Sequence, residues 1–118
     1  MPLVLQTKLK GELSASLVTQ DAIERAKAVN PKLNAISLEN FDLAQTNSEE
    51  PFTGFFQGVP TFIKDTDEVP GLPLYLGSRS LPGEPSDKYS KAAKQIIDTG
   101  LNCLGTTTTP EFGLTGTT

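Results

Sequence analysis

The sequence predicts an α/β fold, and three observations carry that reading. A helical apolar stripe fills residues 16–30, a short β-leaning run bounded by glycine covers 58–65, and a helix–glycine–strand order occupies 87–105. In the first helix, Val18, Ala22, Ala26 and Val29 recur at helical spacing and Ile23 widens the stripe, with Ser14 or Ser16 available as the cap. Asn30-Pro31 is expected to end it, because proline pushes the preceding residue out of the α region. A shorter helix is expected over about Glu39 to Thr46, followed by the polar stretch Asn47-Ser48-Glu49-Glu50-Pro51.

Gly58-Val59-Pro60-Thr61-Phe62-Ile63-Lys64-Asp65 reads as a strand running into acidic turn residues. Val69 to Pro85 holds four prolines and three glycines in seventeen residues, a density that prevents long regular elements and predicts an irregular packed loop. Ser86 or Asp87 then caps a helix to about Asp98, with Ala92, Ala93, Ile96 and Ile97 facing inward and Gly100 as its stop. Leu101-Asn102-Cys103-Leu104-Gly105 follows as a strand, and the only low-complexity run is Thr106 to Thr109.

Composition narrows the chemistry. At 118 residues and 36% hydrophobic, residues 1–118 read as one domain able to bury roughly two-thirds of its unfolded surface. A net charge of −4 argues against nucleic acid as a partner. The longest apolar run is only a few residues, too short to span a membrane, and the first ten residues lack a signal-peptide pattern. A lone Cys103 allows no internal disulfide, which suggests a reducing, cytoplasmic location. Without histidine there is no Ser-His-Asp triad, Cys-His dyad or imidazole metal site, so catalysis here falls to Lys, Ser, Thr, Tyr or carboxylates, and no cofactor is expected.

Spacing alone makes Lys64 a solvated lysine beside Asp65 or Asp67. Cys103 reads as a buried inert thiol, and Ser78 and Ser80 as loop hydroxyls with no nucleophile elbow. Asp65, Asp67 and Glu68 form a solvated acidic turn without the spacing of an ion-binding loop. Glu111 fixes a turn, and the four threonines form an extended run leaving the sheet.

Taken in order, three segments resemble the amidase signature family. They are Gly58-Val59-Pro60 through Lys64-Asp65, then Gly77-Ser78, then Thr99-Gly100 through Pro110-Glu111-Phe112-Gly113. Upstream, Val29-Asn30-Pro31-Lys32-Leu33-Asn34-Ala35-Ile36 is similar to the family's stretch after its first helix, so the likeness runs from about Gly11. The resemblance implies part of an α/β/α fold around a mixed sheet, with the helices of 16–30 and 87–98 beside it. It also implies cleavage of a carboxamide C–N bond by a serine nucleophile, a relaying serine and a lysine base. Lys64 matches that lysine; a neutral amine accepts a proton, and burial favours the neutral form. The family's serines and oxyanion donors lie on Gly-Gly-Ser-rich segments further along, so the chain looks like an N-terminal quarter and is expected to be inactive alone. Thr106, Thr108 and Thr99 stand where the family has Lys, Asn and Ala, changes that would alter the wall of a substrate site.

Two other readings accompany the amidase one: the ammonia-releasing, glutamine-using component of a tRNA-dependent amidotransferase, or a stand-alone non-catalytic module of the same fold. For the chain itself, Phe62, Ile63, Leu101 and Leu104 are expected on uncovered apolar faces that drive self-association.

Overall fold

The computed structural model describes residues 14–118. Its elements run α1 (Ala15–Leu33), β1 (Ile36–Glu39), α2 (Phe41–Asn47), β2 (Pro60–Lys64), α3 (Lys91–Ile97) and β3 (Asn102–Thr107), then a 3₁₀ turn at Glu111–Gly113. The sheet has the order β1-β3-β2, with β1 antiparallel and β2 parallel to the central β3. It is therefore mixed, and the α/β class holds.

Strand pleating sorts the core onto two faces. Leu104, Ile36 and Phe62 pack with Ile23 and Ala26 of α1 and with Phe41 and Ala44 of α2. The alternate positions Cys103 and Ile63 pack with Val69, Leu72 and Ala93 of α3. Ile36 and Leu38 are two apart and should share a face, yet Leu38 joins the second cluster. The register of β1 on β3 shifts between these two residues, and such an irregularity reverses the alternation. Helices on both faces make three layers.

The first helix passes the expected stop. Pro31 lies in its last turn and the helix ends at Leu33, because the terminator is Asn34 in the left-handed region (φ 50°), whose N–H donates to the Asn30 carbonyl at 2.7 Å. The Asn30 side chain then accepts from the N–H groups of Ala35 and Ile36, turning the chain into β1. Glu39, expected at the head of the second helix, belongs to β1, a strand that the sequence pattern does not reveal. Ser14 is the α1 cap, its side chain accepting from the Leu17 N–H.

The third helix starts later than expected, at Lys91 with Ser90 as cap. Residues 86–90 serve the proline-rich loop instead: Gly71 N–H donates to Ser86 O, Ser86 N–H to Leu72 O, and Ser90 N–H to Glu68 O. Of the four residues expected to face inward, Ala93 is buried and Ile97 half-buried, while Ala92 and Ile96 are exposed on so short a helix. Nor are the sheet faces left bare. Ile63 and Leu104 are 2% and 1% exposed, and Phe62 and Leu101 are half-buried, because α1, α2 and the 69–90 loop already cover them.

Gly100 joins α3 to β3 at φ 100°. The 52–58 loop lies directly on this turn, with Phe56 N–H donating to Thr99 O and Gly58 N–H to Gly100 O, each at 2.8 Å. A Cβ on Gly100 would come to 2.5 Å from the Thr53 carbonyl oxygen, so glycine is required here by conformation and by space.

Candidate active site

β2 and β3 are parallel and end together: Lys64 stands opposite Thr107, and the Asp65 N–H donates to the Thr107 carbonyl at 3.0 Å. In open α/β sheets the crevice beyond the carboxyl ends of such strands is where ligands bind. A cavity of about 680 Å³ lies there, its lining including Asp65, Tyr75, Thr108, Thr109, Asn34, Ser37 and Arg79.

The wall is built from backbone held by carboxylates. Asp65 is 1% exposed, so the reading of it as a solvated turn acid is corrected. Its Oδ1 accepts from the Tyr75 N–H at 3.1 Å and its Oδ2 from the Gly77 N–H at 3.3 Å. Strand alternation could have signalled this, because Asp65 continues the β2 pleat on the side opposite the exposed Lys64. Asp67 of that turn does different work. Asp67 accepts from the hydroxyls of Ser90 at 2.7 Å and Thr66 at 3.2 Å, anchoring the cap of α3.

Ser78 is buried, and its hydroxyl donates to Glu111 Oε1 at 2.7 Å while lying 2.8 Å from Ser80 Oγ. The two serines are loop hydroxyls bonded to each other, and Ser78 alone is bonded to Glu111. The 3₁₀ turn adds a backbone tie, Phe112 N–H to Leu76 O at 2.6 Å. Glu111 thus does fix a turn, through the side chain of Ser78.

Lys64 itself is exposed; it adjoins the wall residue Asp65 in sequence but is not among the residues that line the cavity. Among the described residues the one ion pair is Lys94 with Asp98, on the surface of α3. Cys103 is buried as expected, and burial pushes its thiol above the ordinary value, the direction of an inert group. Of the threonines, Thr106 ends inside the core and Thr108 faces the cavity.

The family model described as Amidase matches residues 17–118. The chain belongs to the amidase family. Among the chain's relatives, the protein named "Putative amidase AmiC" of Mycobacterium tuberculosis is 40% identical over 106 residues, 87% of the chain. A glutamyl-tRNA(Gln) amidotransferase component from Nostoc punctiforme is 32% identical over 96% of it. The solved structure of a 6-aminohexanoate cyclic dimer hydrolase superposes with a TM-score of 0.79 at 30% identity, over 91% of the chain. In each case the chain spans about a quarter or less of the relative: 22%, 25% and 23% respectively. The α/β amidase fold is thereby shown for these residues.

Proposed function

We propose that these residues form part of a hydrolase that cleaves carboxamide C–N bonds by a serine–serine–lysine relay, in which Lys64 is the base and both serines come from outside residues 1–118. The observation that carries this reading is the position of Lys64 at the end of a parallel strand pair, next in sequence to the cavity-lining Asp65, in a chain of the amidase family. A lysine base suits a chain without histidine. In the relay the uncharged Lys64 amine takes a proton from one serine, which takes one from the nucleophile as that oxygen attacks the carbonyl carbon; the proton then returns to the departing nitrogen. Lys64 is exposed here, so the water exclusion that such a base needs would come from chain packed over it. Residues 1–118 alone therefore supply a base with nothing to activate and are inactive. The single buried cysteine fits a reducing cytoplasm.

Ammonia release from a panel of aliphatic, aryl and cyclic carboxamides, by a family-length protein carrying these residues, tests the reading. Turnover of at least one is expected, and none from residues 1–118; a family-length protein inert on all of them would overturn it. The likeness to the amidotransferase component supports a second reading, in which glutamine is the ammonia source and partner chains are required. Glutamine turnover only with such partners would favour it.

A further inference from the structure

Three residues other than glycine adopt left-handed backbone among the described residues, and one of them lines the cavity beyond β2 and β3. Asn34 lines it, Leu76 (φ 51°) sits between the lining residues Tyr75 and Gly77, and Phe112 (φ 53°) donates its N–H to Leu76 O. Such conformations are strained and persist where surrounding bonds over-determine them. Here the bonds are identifiable. Asp65 accepts the N–H groups on both sides of Leu76, and Glu111 accepts the hydroxyl of the next residue but one, Ser78. Gly77 is pressed against the backbone of Thr109, another lining residue, since a Cβ there would collide with the Thr109 carbonyl oxygen.

Burying a carboxylate without a cationic partner is expensive unless it holds something in return. Asp65 makes no ion pair among the described residues, and both its oxygens are committed to main-chain N–H groups of one loop. A loop that needed only to cross the surface would not require it.

We propose that Asp65, assisted by Glu111, is a positioning residue: it fixes residues 75–79 as the rigid wall against which the amide substrate is held beside Lys64. The proposal rests on the amide-hydrolase reading above. Its effect on the reaction passes through the loop backbone, so loss of the carboxylate lets the wall relax and the substrate sit wrongly. A misplacement of about 1 Å can cost on the order of 100-fold.

The test combines amide hydrogen exchange on the 118-residue chain with steady-state kinetics on a family-length protein carrying it. In Asp65→Asn one oxygen becomes an NH₂ group facing an N–H, so the Tyr75 and Gly77 amides, slow to exchange in the parent, should exchange at least ~10-fold faster. In the longer protein, kcat/KM should fall ~10–100-fold, mostly through KM. Glu111→Ala should move it the same way, while Glu111→Gln, which keeps an acceptor for Ser78, should stay near the parent. Asp67→Asn is the control: it weakens the α3 cap and lowers stability, and KM should hold. Unchanged exchange or unchanged kcat/KM in Asp65→Asn overturns the proposal, as does an equal KM rise in Asp67→Asn. If the parent hydrolyses no amide, the hydrolase reading fails separately. Exchange then decides the clamp alone: protected amides uphold it and unprotected ones overturn it.

Discussion

Asn102 and Thr106 are both buried on β3, yet their substitution should move stability in opposite directions. The Asn102 amide donates to Thr19 Oγ1 and to the Ala44 carbonyl, each at 3.0 Å, tying the central strand to α1 and α2. Asn102→Ala removes both bonds and leaves a hole, and should cost about 2 kcal/mol or more in chemical denaturation. The Thr106 hydroxyl is buried with no hydrogen-bond partner among the described residues. Thr106→Val keeps the shape and removes an unpaired polar group, so it should be neutral or stabilising by up to ~1–2 kcal/mol. Cys103 gives a pH signature. Burial raises its thiol pKa, and burial also raises that of Tyr89 nearby. Below the ordinary thiol value near ~8.5 both folded and unfolded forms keep the proton and stability is full. Above it the unfolded thiol ionises first, so stability falls until the folded thiol ionises too. Denaturation midpoints measured under reducing conditions should drop between about pH 7 and pH 10, and drop less in Cys103→Ala.

At the scale of elements, the turn between α3 and β3 is where one atom should matter most. Gly100→Ala combines a left-handed φ with a Cβ 2.5 Å from Thr53 O, against a loop held by two backbone bonds. A loss of about 2 kcal/mol or more is expected, with faster exchange at the Phe56 and Gly58 amides. The elements also show what a sequence can and cannot disclose. The α1 stripe and the run into Lys64 are legible because their periods are local. The end of α1 is not, because a proline in the last turn loses little, and the true signal is Asn34 taking a left-handed turn. β1 is hidden because a four-residue strand with a register shift shows no clean alternation, and its partner lies far along the chain. The burial of Asp65 follows from strand alternation, but its partners are hidden for a related reason. The N–H groups it accepts from, those of Tyr75 and Gly77, are in an irregular loop whose path no periodicity encodes.

For the whole molecule, the covering of Ile63 and Leu104 changes which surface should drive association. β1 and β2 are both edges of the three-stranded sheet, and Leu17, Leu33, Phe55 and Leu114 are each more than half exposed. Residues 1–118 alone should therefore self-associate at ~100 μM through sheet edges and these side chains, at about 25 cal/mol per Å² of apolar surface hidden. Light scattering is the check, and a monodisperse monomer with a cooperative melt would favour a self-sufficient module. The central claim concerns Lys64. Its most direct test is the turnover number of a family-length protein carrying these residues, as parent, Lys64→Ala and Lys64→Arg, on a carboxamide that the parent hydrolyses. If Lys64 is the base, alanine should lower kcat by about three orders of magnitude with the fold intact. Arginine should fail as well, because a guanidinium stays protonated. Near-parental turnover in either variant would contradict the account.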